Sequence, residues 1–210
     1  NLAFSRRNFP KSSQIIYLMI KSQNYSSLEN QFLLAMPQLG GSYFEDSVTY
    51  LWKHTAEGAI GIVINKPLHF TEMDIFKELE IECIERKKTV NQRQVLSGGP
   101  VEQDKGFIIH DSFNKWESSI SITPEIKICT SKTILEDIAA GKGPENYLIA
   151  LGCAGWDAGQ LEQEIKENSW LTVPALPRLI FSQNHASKLS RAAEILGVNM
   201  HHLPRKAGHS

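Results

Sequence analysis

Residues 58–65, Gly-Ala-Ile-Gly-Ile-Val-Ile-Asn, carry no polar side chain before Asn65. A run of this length without apolar–polar alternation is dry on both faces, which makes it a central strand of a sheet. Gln31–Met36, stopped by Pro37, reads as a second buried strand, and Val48–Lys53 as a third. Glu57-Gly58 supplies a turn between the last strand and the central run, so the two pair antiparallel. Short strands continue at 94–97, 106–110, 118–122, 126–130 and 146–151, with another at Arg178–Phe181.

Helices are interspersed late. Thr71 opens one, with Asp74 at the capping-box position and Ile75, Phe76 and Leu79 as its buried stripe. Ser131 caps a second over Lys132–Ala140, ended by Gly141. Asp157 caps a third over Ala158–Asn168, with Gln160 in the capping box, and Asn184 a fourth that ends at Gly197, with Leu189, Ala192, Ala193 and Leu196 as its stripe. There is no steady β-α-β-α rhythm. The expected fold is therefore α+β, a single domain with a mixed, bent β-sheet packed by about four helices, not a doubly wound parallel sheet. At 210 residues one domain buries roughly 70% of its unfolded surface without staples.

We expect three segments: 1–28 a poorly ordered N-terminal extension, 29–200 the domain, and 201–210 a mobile tail. Ser5-Arg6-Arg7-Asn8-Phe9-Pro10-Lys11 approaches a twin-arginine export pattern. The apolar run Ile15–Ile20 is closed by Lys21, however, and no A-x-A-like site follows. Met19 as the start of translation is the simpler account of residues 1–18. Cys83, Cys129 and Cys153 are odd in number and far apart, the pattern of a reduced cytoplasmic protein. No apolar run approaches the ~18 residues of a membrane span.

Net charge is −1, from 22 basic and 23 acidic residues, which does not support a broad nucleic-acid footprint. The basic run Arg86-Lys87-Lys88, with Arg93, lies in a polar stretch (83–93) that reads as a solvated loop without interleaved aromatics. His201, His202 and His209 have no Cys or carboxylate at ligand spacing, so no metal or cofactor is indicated.

The candidate site residues come from strand ends and glycine turns. Gly152-Cys153-Ala154-Gly155 is read as a turn between a strand and a helix, placing Cys153 where a nucleophile elbow would and the helix start where an anion could bind. The G-x-S-x-G spacing is absent, Asp157 competes at that helix end, and glycines also serve close helix–sheet packing. Gly98-Gly99-Pro100 is either an anion-binding nest or a bend between strands. Asn65 and Lys66 end one strand and His110 another. With Gln160 and Glu164 on one helix face they make a candidate polar pocket, in which His110 would act as a general base. Each residue taken singly also has a local structural reading.

Three segments together, AMPQLGGSYFEDSVTYLWKHTAEGAIGIVINKPL (35–68), VLSGGPVEQDKGFIIH (95–110) and LIALGCAGWDAGQLEQEIKENSWLTVPA (148–175), with the closing RAAEILGV…AGHS, resemble the AlgH/YqgE family of bacterial proteins from about Phe32 onward. The resemblance implies a compact α+β fold whose sheet curls into a pseudo-barrel, a cytosolic location, and no established activity. A label of transcriptional regulator travels with the family. Tyr more often stands in the family at the position of Cys153, which weighs against a nucleophilic role. Three functions follow as expectations: a cytosolic regulatory or adaptor protein that binds a ligand or partner without catalysis; a small hydrolase or transferase using the Gly152–Gly155 turn and the His110 region; and direct transcriptional control.

Overall fold

The computed structural model describes residues 27–84 and 93–198. The body of the expected N-terminal extension, the Arg86-Lys87-Lys88 run and the tail histidines lie outside the described residues. Ten strands make one sheet: β1 (Gln31–Ala35), β2 (Val48–Thr55), β3 (Gly58–Val63), β4 (Pro67–Thr71), β5 (Gln94–Ser97), β6 (Val101–His110), β7 (Ile120–Thr123), β8 (Ile126–Cys129), β9 (Tyr147–Asp157) and β10 (Trp170–Pro174). Five short helices pack on it among the described residues, where about four were expected: α1 (Glu72–Glu78), α2 (Lys132–Ala139), α3 (Gln160–Lys166), α4 (Pro177–Ile180) and α5 (Lys188–Glu194). No helix among the described residues is long and apolar enough to cross a membrane.

The main path through the sheet is β10-β1-β2-β3-β9-β6-β8-β7, all antiparallel. The sheet forks at β9. Its second half pairs with β3, and its first half pairs in parallel with β5, which carries β4. The expected mixed, bent sheet is this forked arrangement. The apolar run at 58–65 is central, between β2 and β9.

Alternation along the strands sorts the side chains into three cores. The inner face (Phe32, Tyr50, Ile62, Ile109, Leu148, Cys153) packs on Leu179, Ile180, Ala192 and Ala193 of α4 and α5. The outer face of β5, β6, β8 and β9 is covered by Phe76 of α1 and by Ile134, Leu135 and Ile138 of α2. The outer face of β1, β2, β3, β9 and β10 is covered by Leu161 of α3 and, from the 36–47 segment, by Leu39 and Phe44.

Three of the four expected caps stand where expected, while Asp157 remains in β9 and Gly159 precedes α3 in its place. Thr71 and Asp74 form the capping box, and the bond from the Thr71 N–H lowers the Asp74 pKa. Ser131 Oγ accepts from Thr133 N, and Asn184 Oδ1 accepts from Ser187 N, here at a 3-10 turn leading into α5. Of the expected α1 stripe Phe76 is buried but Leu79 lies past the helix end and is exposed, while Glu72 is buried instead. Leu196 is likewise exposed beyond α5.

One expected strand is absent after β10. Arg178–Phe181 is not a strand, because Pro177 at the first helical position pre-sets the backbone for α4. The strand lies earlier, at β10, an edge. Ala175 N donates to Asn30 O and Met36 N to Ser169 O, so odd-numbered residues bond β1 and Pro174 turns its donor-less nitrogen to the open side.

Candidate functional site

The expected turn at Gly152–Gly155 is strand. β9 runs unbroken from Tyr147 to Asp157, and α3 starts only at Gln160, after Gly159 in the left-handed region at φ 75°. The glycines serve a backbone crossing. The link from β5 to β6 passes directly over β9: Gly98 N donates to Leu151 O (2.7 Å), and Gly98 O accepts from Val63 N (2.8 Å). A Cβ on Gly98 would lie 2.3 Å from Gly152 O, one on Gly99 1.9 Å from the Cys153 carbonyl carbon, and one on Gly152 2.4 Å from Gly99 O. With its N–H spent on β9, Gly98 is not free to form an anion nest.

Asn65 and Lys66 flank this crossing. Asn65 Oδ1 accepts from Val48 N and its Nδ2 donates to Asp46 O, both at 2.8 Å, so the amide is absorbed in fastening the 36–47 segment. Lys66 Nζ donates to the Tyr43 carbonyl and lies 5.2 Å over the Tyr43 ring. Burial lowers the Lys66 pKa, with Asp46 and Glu45 opposing. Tyr43 Oη is 2.7 Å from Ser97 Oγ and 3.0 Å from Ser97 O, and burial raises its pKa. Tyr43 and Ser97 thus complete a cluster that strand-end reasoning missed. Both lie inside the segments that carry the family resemblance.

Cys153 points into the inner core and is buried. Desolvation raises its thiol pKa, Glu102 adds to that and Lys105 opposes it, which is the reverse of what an activated nucleophile needs.

Gln160 and Glu164 meet as expected, at 2.9 Å, but on the outer face. Glu164 Oε2 accepts from both indole nitrogens, Trp156 at 2.8 Å and Trp170 at 2.7 Å. The two rings stand edge to face at 5.9 Å, with Phe44 against both. The carboxylate is a brace. Glu164→Ala leaves two indole donors without an acceptor, at about 1–3 kcal/mol each, so a loss of roughly 2–6 kcal/mol is expected in urea unfolding, and clearly less for Glu164→Gln. A loss within about 0.5 kcal/mol for Glu164→Ala, as at an ordinary surface site, would contradict the bracing role.

His110 closes β6, opposite Tyr147 of β9 and Lys127 of β8. Its ring is wholly buried beneath Trp116, edge to face at 5.1 Å, and neither nitrogen meets a protein partner. Burial lowers its pKa to about 4, Lys127 adds to that and Asp111 opposes, so it is neutral at pH 7. Tyr147 and Cys153 are separated by six residues of β9, about 20 Å. The structure therefore keeps His110, Cys153 and Glu164 apart: one end of the sheet, the inner core, and the outer face. Next to His110, Tyr147 Oη donates to buried Glu72, and Arg93 lies 4.1 Å over the Tyr147 ring while bonding Tyr147 O and Glu145 O. Arg93, expected in a basic loop, is spent on structure. No group of three His, Cys, Asp or Glu side chains among the described residues is placed to hold a metal ion.

Residues 32–201 match the family DUF179, described as AlgH-like. A UPF0301 protein of Saccharophagus degradans is 44% identical over 186 residues, covering 89% of this chain and 90% of that protein. Another, of Hahella chejuensis, is 44% identical over 191 residues, covering 90% of this chain and all of that protein. The solution structure of the AlgH protein from Pseudomonas aeruginosa superposes with a TM-score of 0.71 at 40% identity, over 89% of this chain and 100% of that one. A Corynebacterium diphtheriae crystal structure at 18% identity, with a TM-score of 0.57 over 77% of this chain and 83% of that one, shares the fold alone. With its sequence matched nearly end to end and its forked sheet shared, the chain belongs to the AlgH-like family.

Proposed function

We propose that this protein is a cytosolic regulatory or adaptor protein that binds a ligand or partner and performs no chemistry. One observation carries the reading: among the described residues, Cys153, Glu164 and His110 do not converge, and the first two are taken up by the fold. Cys153 is sealed in the core with a raised pKa, Glu164 braces two indoles, and His110 lies about 20 Å along the sheet from Cys153. Regulation then runs through the bound partner or ligand and not through DNA, in keeping with a net charge of −1 and an Arg93 already committed to Tyr147. Three free cysteines suit a reducing compartment.

Native mass spectrometry of untagged protein purified from its own host tests this. The expected result is a stoichiometric small molecule or protein partner that incubation leaves chemically unchanged. Conversion of that molecule, lost in a folded His110→Ala variant, would overturn the reading.

A further inference from the structure

The segment after β6, residues 111–119, crosses the end of the sheet as a strap and covers His110. It is held at three places. Asn146 donates to the Asp111 carboxylate from both its Nδ2 (2.7 Å) and its N (3.3 Å). Trp116 Nε1 donates to Asp137 Oδ2 of α2 (2.7 Å), and Cys129 Sγ donates to Glu117 O (3.5 Å). What lies beneath is not saturated. Both His110 nitrogens and the buried Ser119 hydroxyl lack a protein partner. Groups of this kind cost stability when sealed off, so the covered state is held against a standing penalty. The strap also carries a left-handed non-glycine residue, Ser118 at φ 61°, and Phe113, 86% exposed. A segment with few buried apolar contacts and unmet polar groups opens at low cost.

We propose that the 111–119 strap covers a binding site in which His110 is the recognition group, for a small neutral ligand that carries a hydrogen-bond donor and an acceptor, as amides and heterocyclic lactams do. A neutral imidazole offers one donor and one acceptor on nitrogens that point apart, so an N–H or a C=O of the ligand bonds one of them. Aromatic residues border the site: the Trp116 indole stands edge to face with His110, and Tyr147 is the cross-strand neighbour of His110 on β9. Neutrality follows from the charges. Asp111, Glu117 and Asp137 surround the strap and disfavour an anion. Lys127, directly opposite His110, disfavours a cation while its own ammonium is occupied by Pro124 O at 2.8 Å and the Phe113 ring at 5.1 Å. The remaining strap charge, Lys115, is exposed.

This inference rests on the reading of the protein as a binder without catalysis, and it is tested separately from it. Uracil and nicotinamide serve as probes and benzoate as the anionic control, each titrated into the full-length protein with side-chain NMR of the histidines and hydrogen exchange of residues 111–119. The expected result is a saturable shift of the His110 ring and slowed exchange of the strap with uracil or nicotinamide, and neither with benzoate. His110→Leu, which removes both unmet nitrogens, should keep the fold and lose the response. Asp137→Ala, which releases the Trp116 tether, should speed strap exchange and keep binding. No saturable response to either neutral probe would overturn the proposal, as would a response undiminished in His110→Leu. Chemical conversion of a bound molecule decides the non-catalytic reading, whereas the ligand-induced shift and strap protection decide this one, so the two failures are distinguishable.

Discussion

A Gly99→Ala variant should not reach the native fold. The added carbon would sit 1.9 Å from the Cys153 carbonyl carbon and 2.1 Å from its oxygen, atoms of a strand bonded on both edges. No side-chain rotation relieves a clash between backbones. The β5–β6 link would have to lift off β9, giving up the Gly98 bonds to Leu151 and Val63 and opening the inner core at Cys153. We expect a loss above about 4 kcal/mol, a large part of the roughly 5–15 kcal/mol that holds a domain together. Gly106→Ala is the matched control, since a Cβ there meets nothing within 4 Å. It should stay within about 0.5 kcal/mol. Urea unfolding of the two variants side by side checks the contrast. A stable Gly99→Ala protein would mean that the crossing is not as tight as described.

The second large effect concerns Lys188, in the first turn of α5. Its side chain is 1% exposed, and Nζ donates to Ile64 O and Ile180 O, both at 2.8 Å. Its polar contacts are those two main-chain carbonyls, with His185 alongside, and burial alone pushes its pKa down from 10.5 to about 7. The sign follows from proton counting. Between pH 7 and 10.5 the unfolded chain holds this proton and the native protein does not, so raising the pH through that window stabilises the fold. The slope approaches about 1.4 kcal/mol per pH unit. Lys188→Met removes the titration and leaves two carbonyls without a donor. The difference between wild type and variant, followed by urea unfolding from neutral pH to about two units above, should therefore change by roughly 2 kcal/mol or more in favour of wild type. Taking the difference cancels the buried tyrosines and Cys153, which titrate alike in both proteins. A difference independent of pH would show that Lys188 stays charged in the native state.

The reach of sequence reasoning follows the range of the contacts. The apolar strand at 58–65 and the caps at Thr71, Ser131 and Asn184 were legible because each depends on neighbours within a few residues. β9 was cut short at Leu151, since what keeps Gly152 in a strand is Gly99, some fifty residues earlier. β10 escaped because its partner β1 lies near the start of the domain and Pro174 mimics a breaker. The same holds for the site. The Gln160–Glu164 pair follows from helical spacing, but its use comes from Trp156 and from Trp170 on the next strand. His110 was legible as a polar strand end, whereas its sealing by Trp116 depends on an irregular segment without periodicity.

Peptide-resolved alkylation of Cys153 by iodoacetamide, in native and urea-unfolded protein across neutral pH, is the measurement on which the non-catalytic reading turns. A thiol buried in the inner core with a raised pKa reacts only through opening of the fold, so labelling on the order of 100-fold or more slower in the native protein is expected. Native labelling at neutral pH as fast as in the unfolded chain would reveal an accessible, activated thiol and return the enzyme reading to the front.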